Sequence, residues 1–265
     1  MDTSIFTTRS EVSQTNNIGS LVRMTFKFKT KVKTFKAVIT AFTTAVEELT
    51  FSITPEQIRC KARDPSHVMH VDVIWGKDQF ESYECTEPKE FGIIITDMNK
   101  ILKRFADDET LDVAYNDQGL LILKTLKKEY ELRLVAPNTE EKIPNAEDVK
   151  AEFTCNFDAT MSALNAILDD VSAVDEYVTF RLEDKKLYGS GGGATDSAKG
   201  NIEFLDNVEG TCKGTYSLSY LQGTTKGMGS FADRVSISLS MDMLLRLKIF
   251  ITDKLILTYL LAPKK

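Results

Sequence analysis

The chain has 265 residues, 33 of them basic and 39 acidic for a net charge of -6, with 42% apolar and 27% charged residues. That length accommodates one large domain or two ordinary ones with adequate cores, and the composition excludes extended disorder. No run approaches the roughly 18 apolar residues a membrane span requires, and an acidic chain is not coated all over in nucleic acid, although a localised basic surface is compatible with it.

The first 20 residues are mostly Thr, Ser, Asn and Gln, a composition that cannot bury enough surface to offset chain entropy, and residues 1–23 are expected to form a disordered extension. Met24 opens the patterned part. Phe26 to Lys29 alternates like a strand, and Val32, Phe35, Ile39, Phe42 and Val46 then recur at helical spacing, which predicts an amphipathic helix. Its other side carries Lys33, Ala37, Thr40, Ala41 and Thr44 and reads as small and polar. Strands follow around the Pro55 turn and from Val68 towards Trp75. A second helix is expected to open at Thr96 or Asp97 as N-cap, to bury Met98, Ile101, Leu102 and Phe105, and to turn Lys100, Lys103 and Arg104 outwards. Three strands are predicted near 111–116, 120–127 and 129–136.

The second half repeats this order. Met161, Leu164, Leu168 and Val171 give a helix, strands follow near 177–188 and 200–206, a short helix lies near 218–226, and 233–263 alternates as two strands around Thr252 to Lys254. Phe35 and Leu164 match at an offset of 129 residues, and the endings Leu134-Val135-Ala136-Pro137 and Leu260-Leu261-Ala262-Pro263 match at 126. Residues 24–136 and 152–265 are therefore expected to be two modules. Residues 137–151, with Pro137, Pro144 and surplus acids, read as an exposed connector.

The four cysteines form no C-x-x-C pair, and the default reading is reduced, buried thiols in a soluble, intracellular protein. Asp64, His67, His70 and Asp72 are the residues from which a metal-dependent hydrolase would be built. Strand alternation sends the two histidines to opposite faces, so metal ligation is not expected. The stretch Gly189 to Gly193 lacks a phosphate-loop ending and reads as a loop between strands. No catalytic set or cofactor is expected. Arg23, Lys27, Lys29, Lys31, Lys33 and Lys36 occur without an intervening acid, and basic helices at corresponding points of a repeat would share one surface.

Several of these stretches resemble the archaeal and eukaryotic sliding clamps typified by proliferating cell nuclear antigen. Asp64-Pro-Ser-His67-Val, Thr96-Asp-Met-Asn-Lys100-Ile-Leu-Lys103, Tyr130-Glu-Leu-Arg-Leu134, Ile143-Pro144, Gly200-Asn-Ile202, Thr225-Lys226 and Tyr259-Leu-Leu-Ala-Pro263-Lys carry the likeness, from about Met24 to Lys264. The resemblance implies an α+β clamp fold: two modules per chain, antiparallel sheets outside, helices lining a hole, and three chains closing head to tail around duplex DNA. It implies no reaction of its own, location with the chromosome, no membrane contact, and service as a processivity factor that a clamp loader places on DNA. DNA polymerase, flap nuclease and ligase would be tethered through short peptides.

Position by position, DNA-facing groups would be Lys33, Lys36, Lys100, Lys103, Arg104 and Lys226, the first two and Arg104 on helical position alone. The peptide pocket would be lined by His67, Val68, Ile143, Leu244, Leu260, Ala262 and Pro263. Subunits would meet through Tyr130, Leu132 and Leu134 of one strand against Ile202 and Phe204 of another. Ala37 and Thr44 stand near positions where relatives usually place lysines, and Asp169 and Asp170 replace basic groups, which implies an unevenly charged hole.

Overall fold

The computed structural model describes residues 24–264 except 117–118, 139–141, 194–195 and 204–210, so the expected tail and Phe204 lie outside the described residues. The first half runs β1 (Met24–Lys31), α1 (Val32–Phe42), β2 (Glu48–Ile53), β3 (Gln57–Arg63), β4 (Met69–Gly76), β5 (Ser82–Cys85), β6 (Lys89–Ile94), α2 (Ile95–Leu102), β7 (Thr110–Asn116), β8 (Leu120–Lys124) and β9 (Glu129–Arg133). The second half runs β10 (Cys155–Thr160), α3 (Met161–Ser172), β11 (Tyr177–Glu183), β12 (Lys186–Gly192), β13 (Ser197–Glu203), β14 (Cys212–Ser217), α4 (Leu218–Met228), β15 (Arg234–Leu239), β16 (Leu245–Phe250) and β17 (Ile256–Leu261).

Among the described residues all strand pairs are antiparallel, in sheets ordered β5-β1-β7-β8-β9, β10-β15-β16-β17-β4-β3-β2-β6 and β13-β12-β11-β14. The central sheet passes from one half of the chain into the other where β17 pairs β4, from Ile256 opposite Ile74 to Leu261 opposite Met69. The helices lie side by side in the order α2, α1, α4, α3. Strand alternation sends one face of each sheet into the core, where Phe26, Phe28, Phe35, Phe51, Trp75 and Phe91 form one aromatic cluster.

Local hydrogen bonds expose the repeat. The first amide of α1 donates to Glu109 O and that of α3 to Asp233 O; the first amide of α2 donates to Glu47 O and that of α4 to Glu176 O. This overturns the expected N-cap of α2: Ile94 occupies that position without a side-chain cap. The carbonyl of Glu47 already satisfies the leading amide, which removes the need for a Thr96 or Asp97 cap. Only α3 uses a side chain, with Thr160 Oγ1 accepting from Ala163 N at 3.1 Å.

Three further expectations change. The final segment makes three strands, β15 to β17, because Met241 to Met243 turns with Asp242 at a φ of 48° although no glycine or proline marks the turn. Gly189 to Gly192 belong to β12, where a Cβ on Gly189 would stand 2.1 Å from Ile167 and one on Gly191 2.4 Å from Val171, so glycine is what lets α3 lie flat on the strand. Cys155 and Cys212 are joined by a disulfide that ties β10 to β14, while Cys60 and Cys85 are free.

The repeat offset also moves at the end of the modules. Tyr130 pairs with Leu123 in β8, and Tyr259 with Leu247 in β16, the two strands holding the same place in their sheets. The isolated bridge between Gly92 and Val135 recurs as Lys264 N donating to Thr215 O. Tyr130 thus corresponds to Tyr259, an offset of 129 residues, and the similar Leu-Val-Ala-Pro and Leu-Leu-Ala-Pro endings are not equivalent places in the fold.

Candidate functional site

Four helices present one exposed layer, and the expected cations sit on it in unequal states. Lys33, Lys103 and Arg104 are exposed, with no side-chain ion pair among the described residues. Lys36 is drawn in: its Nζ donates to Asp107 Oδ1 at 2.6 Å and Phe105 O at 3.0 Å. Lys100 pairs with Asp97 at 2.8 Å and Lys226 with Asp169 at 2.7 Å. The small residues of α1 are not its solvent face: Ala37 and Ala41 are buried, and a Cβ on Gly223 of α4 would meet Thr44 at 2.7 Å. Thr44 therefore forms the close seam between helices of the two modules, where a lysine has no room.

Among the six strands that end the three sheets, β5, β6, β9, β10, β13 and β14, the expected subunit-contact residues fall on β9 and β13. In β9, Tyr130 and Leu132 face the helices opposite buried Leu123 and Leu121, while Glu129, Glu131 and Arg133 face outwards. In β13, Gly200 approaches Ile167 of α3 and Ile202 lies opposite buried Leu187, which turns Lys199 and Asn201 outwards. Leu134 lies just beyond β9 and is half-buried.

On the outer face of the central sheet a trough runs along β4, β17 and β16 beneath the connector. Its apolar end, about 150 Å³, is lined by His67, Val68, Leu244, Leu260 and Ala262, together with Pro144 and Val149 of the connector. Five of the seven expected pocket residues are thus assembled. Ile143 and Pro263 do not line it: the Ile143 carbonyl accepts from Lys61 Nζ at 2.8 Å, which fixes the connector with Pro144 turned to the cavity instead. Val149 was legible only as an apolar residue stranded among acids. Towards its charged end, Asp72 accepts from Arg59 Nε at 3.1 Å and Nη2 at 2.6 Å and from Ala146 N at 2.7 Å, pinning the connector again.

The histidine and aspartate cluster does not converge. His67 sits exposed in a turn at a φ of 58°, whereas His70 is buried under the trough, and burial lowers its pKa despite the neighbouring Asp72 carboxylate. The buried Asp64 carboxylate accepts from Ser66 N at 3.0 Å, Val68 N at 2.7 Å, Met69 N at 2.6 Å and Tyr220 Oη at 2.6 Å. Burial alone would raise its pKa, and these four donors outweigh burial to hold it below the ordinary 3.8. Among the described residues no group of three or more such side chains could hold a metal.

Residues 24–141 match the sequence profile described as proliferating cell nuclear antigen, N-terminal domain. The chain is 32% identical over 251 residues to a DNA polymerase sliding clamp of Nitrosopumilus maritimus, covering 91% of this chain and 99% of that one. It is 28% identical to the DNA polymerase sliding clamp of Cenarchaeum symbiosum over 86% of this chain and 94% of the other. In fold it is similar to PCNA from Thermococcus kodakaraensis, with a TM-score of 0.82 at 22% identity over 91% of this chain and 100% of that one. It is also similar to A. fulgidus PCNA with the C-terminal region of FEN-1 bound, with a TM-score of 0.81 at 22% identity over 91% and 98% of the chains.

Proposed function

Because the chain belongs to the proliferating cell nuclear antigen family of DNA polymerase sliding clamps, we propose that it works as a processivity factor: a non-catalytic trimeric ring that encircles duplex DNA inside the cell and tethers replication and repair enzymes. The observation that carries the ring is internal. β4 and β17 pair with each other inside the chain, whereas their counterparts in the repeat, β13 and β9, each end a sheet and have no partner on their outer side among the described residues. Pairing β9 of one chain with β13 of the next repeats a seam the fold already contains and removes two aggregation-prone edges. It also sets Glu129 and Glu131 on the same face as Lys199, opposite charges side by side, with Tyr130 and Leu132 on the helix-facing side together with Gly200 and Ile202. Three such chains supply six modules, the number the sequence resemblance implies.

In that ring the helix layer lines the hole, and DNA is held by topology and by attraction of phosphates to Lys33, Lys103 and Arg104, with Lys36, Lys100 and Lys226 contributing as far as their acid partners release them. The apolar end of the trough takes the anchor of a partner peptide, such as those of polymerase, flap nuclease or ligase. The test is stimulation of a DNA polymerase on primed circular DNA with a clamp loader, alongside the mass in solution. Longer products together with about three chains' mass are expected. A single-chain mass with no stimulation would refute the reading.

A further inference from the structure

Arg246 stands in β16 directly opposite Leu260 of β17, which in turn lies opposite His70 of β4, so it borders the apolar end of the trough. Lys248 follows two residues on, beside Thr258 and Asp72. Both cations line the continuation of the trough, a groove of about 480 Å³ whose other walls include Asp72, Glu147 and Ile256.

The guanidinium of Arg246 is held without a counter-ion. It stacks 4.1 Å from the Phe153 ring centroid and its Nη2 donates to Ser238 Oγ at 3.1 Å, yet its buried Nε has no hydrogen-bond partner. No carboxylate pairs with Arg246 or Lys248 among the described residues. The acids nearby are already committed: Asp72 is saturated by Arg59 and Ala146, and Glu147 lies 3.4 Å from Arg59. The contrast between the two arginines is electrostatic. Burial lowers the pKa of Arg59 too, but Asp72 and Glu147 reverse that and leave it raised, whereas Arg246 is simply lowered by burial. A cation fixed by stacking, partly dehydrated and unpaired is preorganised to receive a carboxylate in a planar, charge-assisted contact.

We propose that Arg246, assisted by Lys248, is a carboxylate-reading subsite beside the apolar pocket, so that this chain selects partner peptides carrying an aspartate or glutamate within about two to four residues of their apolar anchor. The range follows from geometry: outward residues of one strand repeat at about 6.8 Å, close to the i to i+2 step of an extended peptide. The inference rests on the proposed reading of the trough as a partner-peptide groove.

The probe is the C-terminal peptide of A. fulgidus FEN-1, with each position outside its apolar anchors placed in turn as Asp and as Asn, titrated into the intact chain by calorimetry. One or two positions should bind about fivefold or more tightly as Asp than as Asn, as expected for a partly desolvated charge pair. That preference should vanish in Arg246→Gln and shrink in Lys248→Gln, whose side chain is free of the Phe153 stack and guards against a folding defect in the first variant. A parent peptide that binds with no Asp preference anywhere overturns the subsite alone. A preference that survives both substitutions also overturns it. Failure of every peptide to bind overturns the subsite together with the groove reading.

Discussion

Asp64 accepts four hydrogen bonds, three from the turn that follows it and one from Tyr220 on α4, so a single carboxylate shapes the turn bearing His67 and Val68 and ties the first half of the chain to the second. Tyr220→Phe should destabilise the protein by about 1.5 kcal/mol, the range of a hydrogen bond to a charged acceptor. The sign with pH is set by the depressed carboxyl: its contribution is present above the ordinary value of 3.8 and is lost as pH falls through the lower folded value. Urea melts should therefore show the wild type and Tyr220→Phe converging below about pH 4, with the full gap at pH 7. None of this was legible from the sequence, because Asp64 and Tyr220 are 156 positions apart. Motif likeness did place His67, Val68, Leu244, Leu260 and Ala262 around one cavity, whereas Ile143 lies outside that lining with its carbonyl held by Lys61.

The helices of this fold were read well where periodicity governs and poorly where tertiary contacts do. α1 and α3 follow their apolar spacing, since an amphipathic stripe has only one way to meet a sheet. The start of α2 was misread because a remote carbonyl replaced the side-chain cap, and β12 was taken for a loop because its glycines answer to a helix packed above it. Gly189→Ala tests that explanation: the added methyl collides with Ile167, and a loss of about 1 to 3 kcal/mol is expected from overpacking. Adding Ile167→Ala should recover part of it in thermal melts, whereas a true loop glycine would gain nothing from a change on α3. Edge strands bear the second element-scale prediction. Leu132→Glu places a charge on the helix-facing side of the proposed β9 to β13 seam, and sedimentation at micromolar concentration should give single chains with an unchanged far-UV spectrum. Trimers of this variant would move the seam elsewhere.

Across the whole molecule the net charge is -6, yet the helix layer carries uncompensated cations at Lys33, Lys103 and Arg104. Charge counting in the sequence could not rank these against Lys36, Lys100 and Lys226, because the neutralising acids Asp107 and Asp169 come from other elements and only Asp97 is local. The structure makes the ranking testable. Removing Lys33, Lys103 and Arg104 together as alanines should flatten the salt dependence of retention on circular DNA more than removing Lys36, Lys100 and Lys226, since only free cations displace counter-ions in full. Equal slopes for the two triple variants would contradict it. The continuous central sheet carries a last consequence. The strands β4 and β17 share one chain, so their meeting is intramolecular and they re-zip after every fluctuation. A β9 and β13 pair from separate chains has no such leash and re-forms only as often as free subunits collide. In the proposed ring, built from these two kinds of zipper alike in stitching, the gates are expected to lie between chains, while the seams within them stay shut.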